Sequence, residues 1–151
     1  MTVARQEWIH ALDRVIELGF LLEQDQRVSL DRMGLTPSRV QLVWVLGMSG
    51  PHTHRALADQ LGIVPRSVTD LVDGLELIGL VTRGPHATDR RASVVTLTTQ
   101  GRAVMKRLQK DQQRFATALF NDFPDDLLEP LTRSLDHLLA TLRPLVEEGS
   151  K

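Results

Sequence analysis

Asp89, Arg90 and Arg91 lie in the middle of a stretch that reads as a β-hairpin. Leu80-Val81-Thr82-Arg83 and Val94-Val95-Thr96-Leu97 have strand composition, and the ten residues from Gly84 to Ser93 make a long tip between them. A guanidinium is planar, permanently charged and shaped to fit phosphate oxygens, and a neighbouring carboxylate can fix its orientation. Two arginines on a projecting ribbon therefore suit a groove lined with phosphates. An ordinary solvated hairpin, in which Arg and Asp pair with each other, has the same composition. The segment before the hairpin shifts the balance between the two.

Thr53 can cap a helix from His54 to Leu61, with Ala56, Leu57 and Leu61 inward and Gly62 at its end. Pro65 then suits a first helical turn, and Val68, Leu71, Val72, Leu75 and Ile78 follow at helical spacing up to Gly79. Two short helices joined by a glycine-containing turn make a helix-turn-helix, although a plain helical hairpin shares the pattern. If the second helix enters a DNA major groove, its polar face presents Arg66, Ser67, Thr69 and Asp70 to base edges. Arg66 suits guanine, Ser67 and Thr69 suit bases or phosphates, and Asp70 suits a cytosine amino group. Asp70 and Asp73 are repelled by phosphates unless a cation or a donor compensates.

The composition fits one globular domain: 151 residues, 42% hydrophobic and 25% charged. The absence of cysteine removes disulfides, thiolate metal sites and thiol-based redox sensing, and fits a cytoplasmic location. Charges interrupt every apolar stretch before a membrane span is reached, and the N-terminus lacks a signal-peptide pattern, so no membrane partner is expected. The net charge of −1 is unevenly spread. Residues 51–110 carry 9 Lys/Arg against 5 Asp/Glu, whereas residues 1–50 carry 5 against 6 and residues 111–151 carry 4 against 8. The basic charge sits around the helix-turn-helix and the hairpin.

Helical elements must position this centre. Arg5 to about Val28 carries Trp8, Leu12, Val15, Ile16, Phe20 and Leu22 at helical spacing, and the polar stretch Ser29–Gly34 is expected to end that helix. Thr36-Pro37 starts a second helix running to about Met48, and Ser49-Gly50-Pro51 ends it. Thr98 can cap a helix from Thr99 to about Phe120, where Arg102, Lys106, Arg107 and Lys110 lie near the hairpin. A leucine face follows, containing Leu131, Leu135, Leu138 and Leu142. Pro130 lacks a donor and crowds the preceding turn, which predicts a kink there or a helix start near Glu129, with a further break around Pro144. The terminal segments carry more apolar surface than one small core covers. Pairing across a two-fold axis would bury it, with Trp8, Leu12, Val15, Leu131, Leu135, Leu138 and Leu142 at the interface, whereas in a monomer these helices would cover the winged-helix body.

The series Leu75-Glu76, Gly79-Leu80-Val81 and Arg83, then Asp89, Arg91, Val95, Leu97-Thr98 and Gly101, resembles the MarR family of bacterial transcription regulators. The likeness covers nearly the whole chain. It implies a mainly α fold: a winged helix-turn-helix at residues 36–98, an N-terminal dimerisation helix at 1–35 and C-terminal dimerisation helices at 99–151, six helices and a hairpin wing in all. It implies a homodimer that places its recognition helices in successive major grooves of a pseudopalindrome and a wing arginine in the flanking minor groove. Arg91 takes the wing-arginine place and Asp89 that of its orienting carboxylate. Arg90 adds a charge between them, and Arg83 is counted with these three among the DNA-binding residues of the wing. Asp70 stands where many members carry a neutral or basic residue. The resemblance also implies a small aromatic or phenolic effector, for which Trp8, Phe20, Trp44 and Met48 are the candidate pocket.

Enzymatic readings have no motif behind them: the chain lacks a phosphate loop, a metal-hydrolase motif and a nucleophile elbow. His10, His52 and His54 and the other two histidines are scattered, so no metal and no cofactor is expected. The reading is a DNA-binding repressor. Its rival is a winged-helix protein-interaction module that uses the same face without DNA.

Overall fold

Thr36 and Pro37 begin the helix against which the core forms. The computed structural model describes the backbone of residues 3–149 and the side chains of residues 5–146. Along the chain lie α1 (Val3–Asp31), α2 (Pro37–Ser49), β1 (His52–Thr53), α3 (His54–Leu61), α4 (Pro65–Leu77), β2 (Val81–Pro85), β3 (Ser93–Leu97), α5 (Thr99–Phe120) and α6 (Asp125–Gly149). Among the described residues the fold is mainly helical, with six helices and one small antiparallel sheet. Two compact units make up the chain, Met1–Met105 and Lys106–Lys151.

Local chemistry sets the helix boundaries in the first unit. Thr36 Oγ1 accepts from Arg39 N at 3.3 Å, and Thr53 Oγ1 accepts from Ala56 N at 3.2 Å, so α2 and α3 each start on a threonine cap. Gly62 (φ 64°) closes α3 in the left-handed conformation. Val64 offers α4 no side-chain cap, and Pro65 in the first turn supplies a preset helical φ instead. Leu42, Val43, Leu57, Val68, Val72, Leu75, Val81 and Val95 are fully buried. α2, α3, α4 and the sheet therefore share one apolar core.

The wing contains one strand more than its sequence indicated. β1 pairs with β3, giving the strand order β1-β3-β2, with His52 opposite Val95 and Thr53 opposite Val94. The two-residue strand ends on the α3 cap, Thr53, and is too short to show an alternating pattern. β2 and β3 pair from Val81↔Leu97 to Pro85↔Ser93, two residues further out than the expected strand Leu80–Arg83. The tip is correspondingly shorter, His86–Ala92.

Two helices also exceed their expected bounds. α1 continues through Ser29, Leu30 and Asp31 because Leu30 is buried, and the turn closes with Leu35 N donating to Leu30 O at 3.1 Å and Gly34 at φ 65°. α6 is continuous from Asp125 and contains both Pro130 and Pro144, so neither the start near Glu129 nor the break at Pro144 occurs. Each proline frees one carbonyl four residues back, on Asp126 and Ala140. Both residues are exposed, so water can satisfy those groups.

α1 and α6 expose much of their apolar surface within a single chain. Trp8, Leu12 and Val15 form one stripe on α1, at 69%, 56% and 43% exposure. Leu135, Leu138 and Leu142 are exposed along α6, and Leu131 is half-buried.

Candidate nucleic-acid interface

α4 has three exposed ridges, each with a different neighbourhood. Arg66, Asp70, Asp73 and Leu77 form the crest, opposite buried Val68, Val72 and Leu75. Thr69, Asp73 and Glu76 form the flank nearer the wing. Ser67, Asp70 and Gly74 form the flank nearer α2. The expected major-groove residues Arg66, Thr69 and Asp70 are exposed, and Ser67 is half-buried. Thr69 Oγ1 donates to the Pro65 carbonyl at 3.2 Å, which uses its proton and leaves the oxygen able to accept.

Arg83 occupies a different place from the tip arginines. From β2 its two terminal guanidinium nitrogens donate to Asp73 and Glu76, tying the wing base to α4. The hydrogen bond to Asp73 is the main influence raising the Arg83 pKa above its ordinary value, with partial desolvation opposing it. Asp73, awkward beside phosphates on sequence grounds, thus has its compensating cation inside the protein. Asp73 and Glu76 remain 60% and 40% exposed, so after solvent screening the paired network is worth about 1 kcal/mol. Arg83→Lys is expected to lose most of that amount in thermal unfolding, because an ammonium cannot reproduce the fork that reaches two carboxylates.

His54, the first residue of α3, senses this network. Its pKa is lowered, chiefly by burial and secondly by the charge of Arg83, against an opposing pull from Asp73. The unfolded chain therefore takes up a proton more readily than the folded one below the ordinary value of 6.5. Stability from this group is complete above that pH and falls as pH drops through it towards the lower folded-state value. Melting curves from pH 8 to pH 5 should show a component of acid destabilisation that His54→Gln removes.

The wing tip is held by its own polar groups. His86 Nδ1 accepts from Thr88 N at 3.2 Å and Asp89 N at 3.1 Å, while His86 N donates to Ala92 O at 3.2 Å. Asp89 Oδ1 accepts from the backbone N of Arg91 at 2.9 Å. Asp89 thus fixes the loop that carries Arg91, where the sequence resemblance implied a carboxylate orienting its guanidinium. Arg90 and Arg91 are exposed, and among the described residues their guanidinium groups have no partner. The bracing by His86 and by the Asp73–Glu76 pair was missed in the sequence, since neither set of residues forms a recognisable motif.

At the base of the wing, Thr98 N donates to Leu80 O at 3.0 Å, and Thr98 Oγ1 donates to Gly79 O at 2.6 Å while accepting from Gly101 N at 3.0 Å. One threonine thereby joins the end of α4, the sheet and the start of α5. Arg102 is occupied there, donating to Leu97 O at 2.8 Å and Thr99 Oγ1 at 3.1 Å.

The four residues expected to line an effector pocket are not gathered by the structure. Trp8 and Phe20 are 69% and 64% exposed on the same helix, about 18 Å apart along its axis. Trp44 is half-buried and Met48 is 63% exposed on α2. A cleft of about 500 Å³ lies elsewhere, between α2, the end of α3 and α4, lined in part by Ser38, Arg39, Leu61, Ser67, Asp70 and Leu71.

A helix-turn-helix braced against a hairpin with a free basic tip defines a winged-helix protein. A family model described as MarR family matches residues 35–93. Residues 35–93, from the start of α2 through the wing tip, are thus similar to the winged helix-turn-helix region of MarR-family transcription regulators. The chain is 31% identical over 97 residues to the HTH-type transcriptional regulator YcgE of Bacillus subtilis (strain 168), a match spanning 64% of this chain but only 63% of that relative's length. The homoprotocatechuate degradative operon repressor of Escherichia coli is 26% identical over 114 residues, 76% of this chain and 77% of the repressor. Among solved structures, Streptococcus pneumoniae FabT in complex with DNA shares the fold with a TM-score of 0.77 at 17% identity, over 93% of this chain and 99% of that one.

Proposed function

We propose that this protein is a sequence-specific double-stranded DNA-binding repressor that acts in the cytoplasm as a homodimer on a pseudopalindromic operator. The observation that carries this reading is the division of labour among the hairpin arginines. Arg83 is spent holding the base of the wing to α4, while Arg90 and Arg91 stay free at a braced tip. Such an arrangement suits α4 in a major groove, through Arg66, Ser67, Thr69 and Asp70, with Arg91 reaching the adjacent minor groove. Arg83 is then a positioning residue of the wing rather than a phosphate ligand.

Dimerisation is supported by the apolar stripes of α1 and α6, which a second copy would cover. Among the described residues no helix is long and apolar enough to cross a membrane. Two-fold symmetry gives two identical reading heads, and half-sites about 34 Å apart. Release by a small aromatic or phenolic ligand completes the reading. Its support is the likeness to a repressor named for a homoprotocatechuate degradative operon.

Selection from random duplexes tests the proposal. An inverted repeat with one helical turn between half-site centres, bound by two chains, is the expected product. Enrichment of no sequence, together with capture of a protein by the same face, would favour an interaction module instead.

A further inference from the structure

Of the arginines around α4, Arg83 is held by two carboxylates, whereas Arg39 is an unattached cation brought from another element. Arg39 lies in the first turn of α2, and its side chain lies over Gly74 of α4. A methyl carbon built on Gly74 would overlap the guanidinium, standing 2.9 Å from Cζ and 3.0 Å from Nε. Among the described residues, that guanidinium has no hydrogen-bond or ion-pair partner, and Arg39 is half-buried. It lines the cleft beside α4 together with Ser38, Ser67 and Asp70. The absence of a side chain at Gly74 therefore lets a cation from α2 lie across the flank of the helix proposed to read DNA.

We propose that Arg39 is a DNA contact, binding a backbone phosphate at the edge of the major groove that α4 enters. Ser38, exposed in the same cleft, supplies a hydroxyl donor beside it. The chemistry is that of a phosphodiester: a planar fork of N–H donors meeting two non-bridging oxygens. Arg39 also lines the same cleft as Asp70, the crest carboxylate that has no ion-pair partner among the described residues. The charges on α4 are then balanced from both sides, by Arg83 on the wing flank and by Arg39 on the α2 flank. Gly74 acts as a positioning residue, because its bare backbone leaves room for the guanidinium.

This inference rests on the DNA-binding reading, and its test separates the two. Binding of the full-length protein to a selected duplex is followed by fluorescence anisotropy from 50 to 300 mM salt for wild type, Arg39→Ala, Gly74→Ala and the double variant. Arg39→Ala should weaken binding about tenfold and flatten the log–log salt slope by about one for each phosphate that is no longer neutralised. Gly74→Ala improves helix propensity, so it should melt at or above the wild-type temperature and yet bind more weakly. In the double variant the glycine change should add no further loss, since the side chain it displaces is gone. Wild-type affinity and slope in Arg39→Ala would overturn the role of Arg39, and losses that multiply in the double variant would overturn the role of Gly74. A wild type that binds no duplex at low salt would remove the DNA-binding reading itself, and the Arg39 phosphate bond with it.

Discussion

Gly101→Ala is expected to be the most destabilising single methyl in the described structure. Gly101 is buried in the first turn of α5, and a Cβ there would overlap the Leu80 carbonyl oxygen, standing 3.0 Å from the carbonyl carbon and 3.2 Å from Leu97 Cδ2. The obstacle is backbone, held by the bond from Thr98 N to Leu80 O, so no flexible side chain can swing aside. Relief requires α5 to move off the sheet, which strains the Thr98 hydrogen bonds to Gly79 and Gly101. The cost should be about 3 kcal/mol, at the upper end of overpacking, and should lower the melting temperature by on the order of 10 °C. Gly19→Ala is the control. A Cβ at Gly19 meets nothing within 4 Å in the single chain, so α1 should gain about 1 kcal/mol from helix propensity. Thermal unfolding of both variants beside wild type checks the contrast.

Arg91→Ala should produce the largest loss of DNA affinity without loss of fold. Its guanidinium is exposed and unpartnered, while the bond that shapes the loop runs from its backbone N to Asp89 Oδ1 and survives the substitution. A minor-groove or base-edge arginine contributes about 1–3 kcal/mol per site, so a dimer losing two should bind on the order of a hundredfold more weakly. Asp89 separates two accounts of the tip. If Asp89 serves through its accepted backbone bond, Asp89→Asn keeps an oxygen in place and should bind nearly as wild type, whereas Asp89→Ala loosens the tip. A loss in Asp89→Asn equal to that in Arg91→Ala would mean that the carboxylate charge orients the arginine after all. Anisotropy titrations with one labelled duplex compare all three variants.

What was legible in the sequence is what local chemistry decides. Thr36-Pro37, Thr53 and Thr98 announce the starts of α2, α3 and α5, and glycines past their ends announce where α3 and α4 stop. The pattern from Leu75 to Gly101 encodes the wing, since Gly79 serves a turn, Val81, Val95 and Leu97 a strand face, and Thr98 and Gly101 a tight approach. Non-local pairing was hidden. β1 is two residues long, and its partner β3 lies about forty residues later in the chain. Pro130 and Pro144 read as breaks because the helix rule assumes that a freed carbonyl is costly, which it is not when water reaches it. Within the candidate interface, the exposed α4 residues and the tip arginines followed from periodicity and charge. The positions of Arg39 over Gly74 and of Arg83 between two carboxylates required the packed chain.

The central claim is that the braced wing and α4 form a DNA-reading surface, and salt dependence of duplex binding tests it most directly. Affinity for a selected inverted repeat, measured against log salt, should fall with a slope on the order of −6 as several phosphate contacts release their counterions, and should exceed affinity for a scrambled duplex at every salt concentration. Absence of duplex binding at 50 mM salt, or a flat salt profile with equal affinity for both duplexes, would contradict the account.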